Sequence, residues 1–373
     1  MKVARDIAGL ALPFAAGAAT VVWAGGIICS RPIFYSITAS LVLLVAFFFL
    51  RAPNRIKLRP IYLHVLICVA LASCGILCGI RAIVVPTGIP ISGGIPAWIM
   101  NMGTATGEAI DGIGFRNPET NAMIKAIIIG DRSDIPGHIT TAFRESGASH
   151  ILALSGLHLG IIYGIIGKAL TIFGNSTSAR KARTFITVAI CGLYMLATGA
   201  GASITRAFIF ILIGETAKST GRFRNLGSLL LASLMIHLAI SPIAIREIGF
   251  QLSYAAMAGI AFIYPWLEGL WPERDRKGAG WIERATGWIW NTATLSISCQ
   301  ITTGPLAYLY FRSFPIHFLL TNLISLPLTG VIIPAALMTL VLDLCGICPE
   351  ILLRATEMLV TALSAALKVI SSM

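Results

Sequence analysis

Apolar stretches long enough to cross a lipid bilayer recur along almost the whole chain. A membrane-spanning helix needs about 20 mostly apolar residues, and such runs fall near residues 7–28, 33–50, 61–84, 150–170, 184–199, 203–217, 226–243, 248–267, 287–310 and 316–342. In lipid, a segment has no water to satisfy its backbone, so these runs must be helices or a closed barrel. Their length and lack of strict alternation select helices. Composition agrees: only 12% of the 373 residues are charged, about half the usual share for a soluble domain. The expected fold is an all-α polytopic integral membrane protein. It would have about ten transmembrane helices, some broken or re-entrant, and short extracytoplasmic amphipathic helices. The last span contains Pro327 and Pro334, and residues 351–371 form a further helix, crossing or interfacial.

The formal net charge of +12 invites a nucleic-acid reading, but orientation explains it first. Cytoplasmic loops of membrane proteins collect Lys and Arg. With the N-terminus inside, 17 of the 28 Lys and Arg fall in the N-terminal tail and in the segments 51–60, 168–183, 218–224 and 268–284, all cytoplasmic. The segment 85–148, then outside, holds four basic and six acidic residues. The expected placement is multi-pass, with the N-terminus cytoplasmic. Residues 7–28 are read as a retained span, because no clear cleavage site follows and another apolar run begins at once.

The organisation expected is a three-span region (1–84), an extracytoplasmic helical segment (85–148), a membrane core (149–345) and a C-terminal amphipathic or membrane helix (346–373). Within 85–148, "NPETNAMIKAIIIG" has Asn117 to cap a helix, Pro118 at its first position and Gly130 after its end. "DIPGHITTAFRESG" places Asp134 near a second helix start and Gly147 at its C′ position. "GDRSD" lies between them.

Polar residues inside spans are the candidate functional groups, because lipid penalises them. Ser155 and His158 sit about 60° apart on the helix expected from residue 150. Gly156, Gly160 and Gly164 form a separate small-residue stripe suited to close helix packing. Arg206 lies early in a span, with Gly199–Gly201 just before it, and an arginine beside exposed helix amides suits an anion such as phosphate. Gln251 shares a face with Tyr254, while Thr292, Ser296 and Gln300 recur every fourth residue; hydroxyls at such positions often bond back to their own helix. Other chemistries lack support. "ALSG" has Ala153 where an intramembrane serine protease would carry glycine. Gly167–Lys168 is followed by alanine rather than a phosphate-loop Ser or Thr. Cys345 and Cys348 have redox spacing without the βαβ context. No metal-ligand spacing or cofactor motif is present, so no metal, cofactor or catalytic residue is expected.

"GDRSDIPGHITTAFRESGASHILALSGLHLGIIYG" (130–164) resembles the core signature of the ComEC competence family, the bacterial channels that internalise transforming DNA. The likeness rests on Gly130–Arg132, Ser149–His150 and Leu154–His158. "GAGASITRAFIF" with Arg206–Ala207, "REIGFQLSYAAMAGI" with Gly249–Ser253, and "CQITTGPLAYLYFRSFPIHFLLTNLISLPLTGVIIP" resemble later family segments, in the right order over about 115–345. The resemblance implies an inner-membrane channel that passes single-stranded DNA. Ser155, His158, Arg206, Gln251 and Gln300 would line its path, and Asp131, Arg132 and His150 would sit at its outer mouth. The family's full plan adds an extracytoplasmic OB-like domain and a metallo-β-lactamase-like domain, neither of which is expected in these residues. DNA capture, strand degradation and pulling would then fall to a separate capture protein, nuclease and cytoplasmic motor, and the chain could act as a homo-oligomer in contact with membrane lipid. The alternative reading is a diverged transporter or scaffold of the same fold that does not handle DNA.

Overall fold

The computed structural model describes residues 2–28, 60–84, 96–174, 176–219, 225–271, 280–312 and 314–373. The span expected at 33–50 lies outside these residues. Among the described residues all regular structure is helical. Among the described residues three helices are long and apolar enough to cross a membrane, namely Gly156–Phe173, Ile248–Glu268 and Phe318–Leu344, and Gly9–Trp23, Ile67–Ile83 and Leu226–Ile240 are shorter apolar helices. The ten expected crossings are thus matched in part among the described residues.

Two compact units interleave along the chain. One comprises Met1–Gly93 and Ile209–Tyr254, and the other Gly94–Phe208 and Ala255–Met373.

In the first unit, α1 (Lys2–Ile28) packs along α2 (Pro60–Val84). Small residues make this approach very close. A Cβ at Gly17 would lie 2.0 Å from the Ala72 carbonyl oxygen, and one at Gly75 would lie 2.0 Å from that of Phe14. Such small-residue seams let apolar helices associate without a hydrophobic driving force.

The second unit begins with α3 (Ala97–Gly112), α4 (Pro118–Ile128), α5 (Gly137–Glu145), α6 (Ser149–Leu152), α7 (Gly156–Ala169) and α8 (Thr177–Ala197). Next, α9 (Ala202–Ser219) continues from the second unit into the first, where α10 (Leu226–Ile240) packs on α1. The helix α11 (Ile248–Ala258) returns the chain to the second unit through a π-helical turn, Gly259–Ile263, and α12 (Tyr264–Glu268). The chain closes with α13 (Trp281–Phe311), α14 (Phe318–Leu344) and α15 (Glu350–Ser371). Gly259 carries no side chain because a Cβ there would meet the Ser298 carbonyl oxygen of α13 at 2.3 Å.

The core of the second unit joins α4, α5, α14 and α15 through Met123, Ile127, Phe143, Ile332, Ala336 and Leu363. The C-terminal helix α15 thus buries one full stripe, including Val360, Leu363, Leu367 and Ile370. Local signals set the ends of α4 as expected: Asn117 accepts from the Glu119 amide, Pro118 opens the helix and Gly130 has φ +80°. Gly147 follows α5 with φ +84°. Asp134 does not cap α5, whose N-cap is Pro136; its carboxylate pairs with Lys125 instead.

Candidate functional site

The continuous helix expected from residue 150 is two helices. The short α6 ends at Leu152, Ala153 turns to an extended conformation, and Ser155 (φ −120°, ψ 169°) is the N-cap of α7. Ser155 Oγ accepts from the Leu157 amide at 3.2 Å, and the Ser155 amide donates to His158 Nδ1 at 3.1 Å. This reciprocal pair is a capping box in which histidine takes the place usually held by Glu or Gln. It satisfies amides that a helix start leaves open, which matters most where water is scarce.

The GDRSD segment holds the break in place. Arg132 Nε donates to the Leu152 carbonyl at 2.9 Å, at the last residue of α6. Gly130, in the left-handed region, passes so close to Leu154 that a Cβ would meet its Cδ1 at 2.7 Å. Asp131 accepts from both the amide and the hydroxyl of Ser133, and these bonds hold its carboxyl below the usual carboxylate range. Behind this loop, Lys125 reaches Asp111 at 2.9 Å and also bonds Asp134. The two carboxylates raise the lysine above its ordinary value, Asp134 most strongly. That clasp ties α3, α4 and the loop together. His150 Nδ1 lies 3.2 Å from the Gly147 carbonyl oxygen, within the turn that starts α6.

Arg206 comes to the same place. It is buried in the second turn of α9, and its Nη2 lies 3.4 Å from where a Gly156 Cβ would stand, as does the Ala207 Cβ. The guanidinium therefore lies across the first turn of α7, where Gly156 leaves room for it. The preceding turn is tight, with Gly199 at φ +81° and Ala200 at φ +49°. Sequence reasoning placed an anion cradle at Gly199–Gly201; the structure puts Arg206 at the start of a different helix. Arginine, the partial positive charge of a helix N-terminus and a buried imidazole converge there. Since Nδ1 accepts the Ser155 amide, the His158 proton belongs on Nε2, and Nε2 is buried with no hydrogen-bond partner among the described residues.

The other candidates lie elsewhere. Gln251 donates to the Ile245 carbonyl at 2.9 Å and belongs to the first unit. Gln300 sits in an apolar pocket with Ile297, Ile301, Pro305, Tyr308 and Phe314. Thr292 and Ser296 bond to carbonyls four residues back. Of the glycine stripe, Gly156 packs within this unit, whereas a Cβ at Gly160 or Gly164 would meet no atom within 4 Å among the described residues. Both of these glycines are exposed on α7.

Three features escaped the sequence reading. Lys125 bridges helices by contacts that no local pattern encodes. His237 stacks edge-on with Phe250 at 5.0 Å in the first unit. On α14, Ser325 and Thr329 are fully buried, and the i, i+4 spacing of Thr321, Ser325 and Thr329 in "TNLISLPLT" is the signal that marks them.

A family model described as "Competence protein" matches residues 127–373, which include the GDRSD loop, the α6–α7 break and Arg206. ComE operon protein 3 of Bacillus subtilis (strain 168) is 24% identical over 223 residues, 59% of this chain and 26% of that protein. Competence protein ComA of Neisseria gonorrhoeae is 25% identical over 241 residues, 63% of this chain and 31% of that protein. The uncharacterized protein YcaI of Escherichia coli (strain K12) is 23% identical over 231 residues, 61% of this chain and 30% of that protein. The chain thus spans between a quarter and a third of the length of these relatives. No solved structure matches. Because the family match covers well over half of its residues, the chain belongs to the competence protein family.

Proposed function

We propose that this protein is the membrane-embedded part of a DNA-uptake channel and passes single-stranded DNA across the bacterial cytoplasmic membrane, with its N-terminus in the cytoplasm. The observation that carries the reading is the Arg206 guanidinium laid across the capped start of α7, at a break within an apolar segment. A strand carries one negative charge per phosphate, and a path for it through lipid needs cationic or amide donors in a wet, protein-lined space. Arg206 would contact the phosphates, while Ser155, His158 and Arg132 hold the helix start in position. Two family relatives whose names include ComE operon and competence support DNA as the cargo. A capture protein, a nuclease and a motor would be partners in this reading.

The exterior of α13 supports a membrane position. Trp288 and Tyr308, both about half exposed, are twenty residues apart, thus roughly 30 Å along the helix. That separation matches the hydrocarbon thickness, and Trp and Tyr favour its two boundaries. In this reading α13 crosses too, and its polar residues exclude it from a purely apolar criterion.

We assign the chain no covalent step. Ser155 Oγ contacts His158 Nδ1 at 2.9 Å, but among the described residues no third group bonds Nε2 to orient the imidazole as a base, and the serine serves as a helix cap. The test is transformation frequency in the native host with the wild type, a clean deletion, and the deletion carrying Arg206→Ala. Loss of transformation on deletion, restored by wild type but not by a membrane-inserted Arg206→Ala, supports the channel. Normal transformation of the deletion strain would favour the transporter or scaffold reading.

A further inference from the structure

We infer that the face of α14 carrying Asn322, Ser325 and Thr329 is a hydrated wall, lined by neutral hydrogen-bonding groups, of the same passage that Arg206 enters. This inference rests on the channel reading for its cargo, but not for its water.

The first observation is a contrast between neighbouring helices. On α13 the hydroxyls of Thr292, Thr294, Ser296, Ser298, Thr302 and Thr303 each donate to a carbonyl three or four residues back. That is how a hydroxyl is satisfied in a dry helix bundle. On α14, Thr339 does the same with the Ala335 carbonyl. Ser325 and Thr329 do not. Both are fully buried, yet their hydroxyls have no partner among the described residues, and neither does the Asn322 Oδ1. Each hydroxyl has turned away from the backbone carbonyl within its reach. The three positions lie within about 60° of one another on the helix, so their polar atoms share one side. Pro327 and Pro334 occupy the other side, so the carbonyls they release do not supply this one.

The second observation comes from a different helix. α7 packs against α14, and the buried His158 on α7 presents a partnerless Nε2–H. One turn before Ser325, Thr321 donates to the Ser146 carbonyl at 2.7 Å, which anchors this face beside the segment leading into the α6–α7 break. Packed helices thus carry several buried polar atoms, both donors and acceptors, with no protein partner. Buried polar groups are almost always satisfied by protein or ordered water, and a polar space with several partners is where water resides. Water, which both donates and accepts, is the occupant that serves both kinds of group. A neutral wall also suits passage, because a moving strand must be held weakly enough to leave.

Cysteine accessibility tests this in the full-length protein in native membranes. With the eight native cysteines replaced by alanine, Ser325→Cys and Thr329→Cys are treated with a charged, membrane-impermeant methanethiosulfonate. Met338→Cys, on the exposed side of α14, is the lipid-facing control. We expect the two seam positions to react at least tenfold faster than the control; equal or slower reaction overturns the hydrated wall. Should the cysteine-free background fail to insert, Thr329→Val in the native chain gives a second reading. In a dry seam, an isosteric methyl relieves an unpaired hydroxyl and raises the thermal midpoint, which overturns the inference. In a hydrated seam the midpoint is unchanged or lower. Adding a single-stranded oligonucleotide separates water from cargo. Protection of Ser325→Cys supports the wall in both its aspects. Fast labelling without protection retains the water and refutes the strand's use of this wall, whatever the transformation assay reports.

Discussion

Ser155 offers the sharpest test of the site's local architecture. Its hydroxyl accepts from the first turn of α7 and its own amide is met by His158. Ser155→Ala removes the acceptor and leaves an amide open at a helix start that is half-buried. Loss of an N-cap costs about 1 kcal/mol, within a range of about 0.5–2, and because Leu157 is exposed water can partly replace the lost acceptor. In a cooperative unit of roughly 200 residues this corresponds to a fall in thermal midpoint of about 2–4 °C. Ser155→Asn restores a good capping acceptor, so it should recover most of the loss. His158→Gln reproduces the usual capping-box partner and should be milder than His158→Leu. The assay is thermal unfolding of the purified protein in detergent, followed by intrinsic tryptophan fluorescence, with transformation measured in parallel. The reasoning fails if Ser155→Asn is as unstable as Ser155→Ala, or if Ser155→Ala leaves the midpoint unchanged. A nucleophilic serine gives the opposite pattern: Ser155→Asn stable but inactive.

Three further outcomes follow from the packing. Lys125→Met should destabilise by about 1–3 kcal/mol, less than a fully buried pair would lose, because Asp111 and Asp134 are half-exposed and their freed charges can rehydrate; an unchanged urea midpoint would contradict the clasp. The folded protein raises the Lys125 pKa above its ordinary 10.5, so that stabilisation is complete below the unfolded value and is lost as pH rises through the folded one. Thermal midpoints should be level from pH 7 to about 10 and decline above it, with a shallower decline in Lys125→Met. Gly75→Ala puts a Cβ 2.0 Å from the Phe14 carbonyl oxygen, so α1 and α2 must part by about 1 Å; overpacking of this kind costs about 1–3 kcal/mol, and proteolysis should cleave the variant faster, whereas wild-type resistance would argue against the contact.

Some of this was readable in advance because its causes are local. The α4 helix carries its cap, its first proline and its terminal glycine within fourteen residues, so Asn117, Pro118 and Gly130 fell where the pattern put them. The break before α7 was hidden for two reasons. Ala153 and Leu154 are good helix residues, and the capping box uses histidine, so "SGLH" reads as helix interior. Tertiary contacts stop the helix there, through the Arg132 bond to Leu152 and the Leu154 contact with Gly130. For Gly160 and Gly164, periodicity shows which residues share a face, not which face meets a neighbour.

The sequence by itself determined an apolar, helical, membrane-type chain with its family signature intact, because apolarity and motif order are properties of the residues in line. It also supplied Arg206, since an arginine in such a run is costly wherever it points. Only the tertiary structure decided where that charge goes. Arg206 and Gly156 are fifty residues apart, and no local rule brings a guanidinium across the first turn of another helix. The same holds for Ser325 and Thr329: their types and spacing are in the sequence, but whether a hydroxyl turns back to its own carbonyl or toward a shared interior depends on what packs beside it.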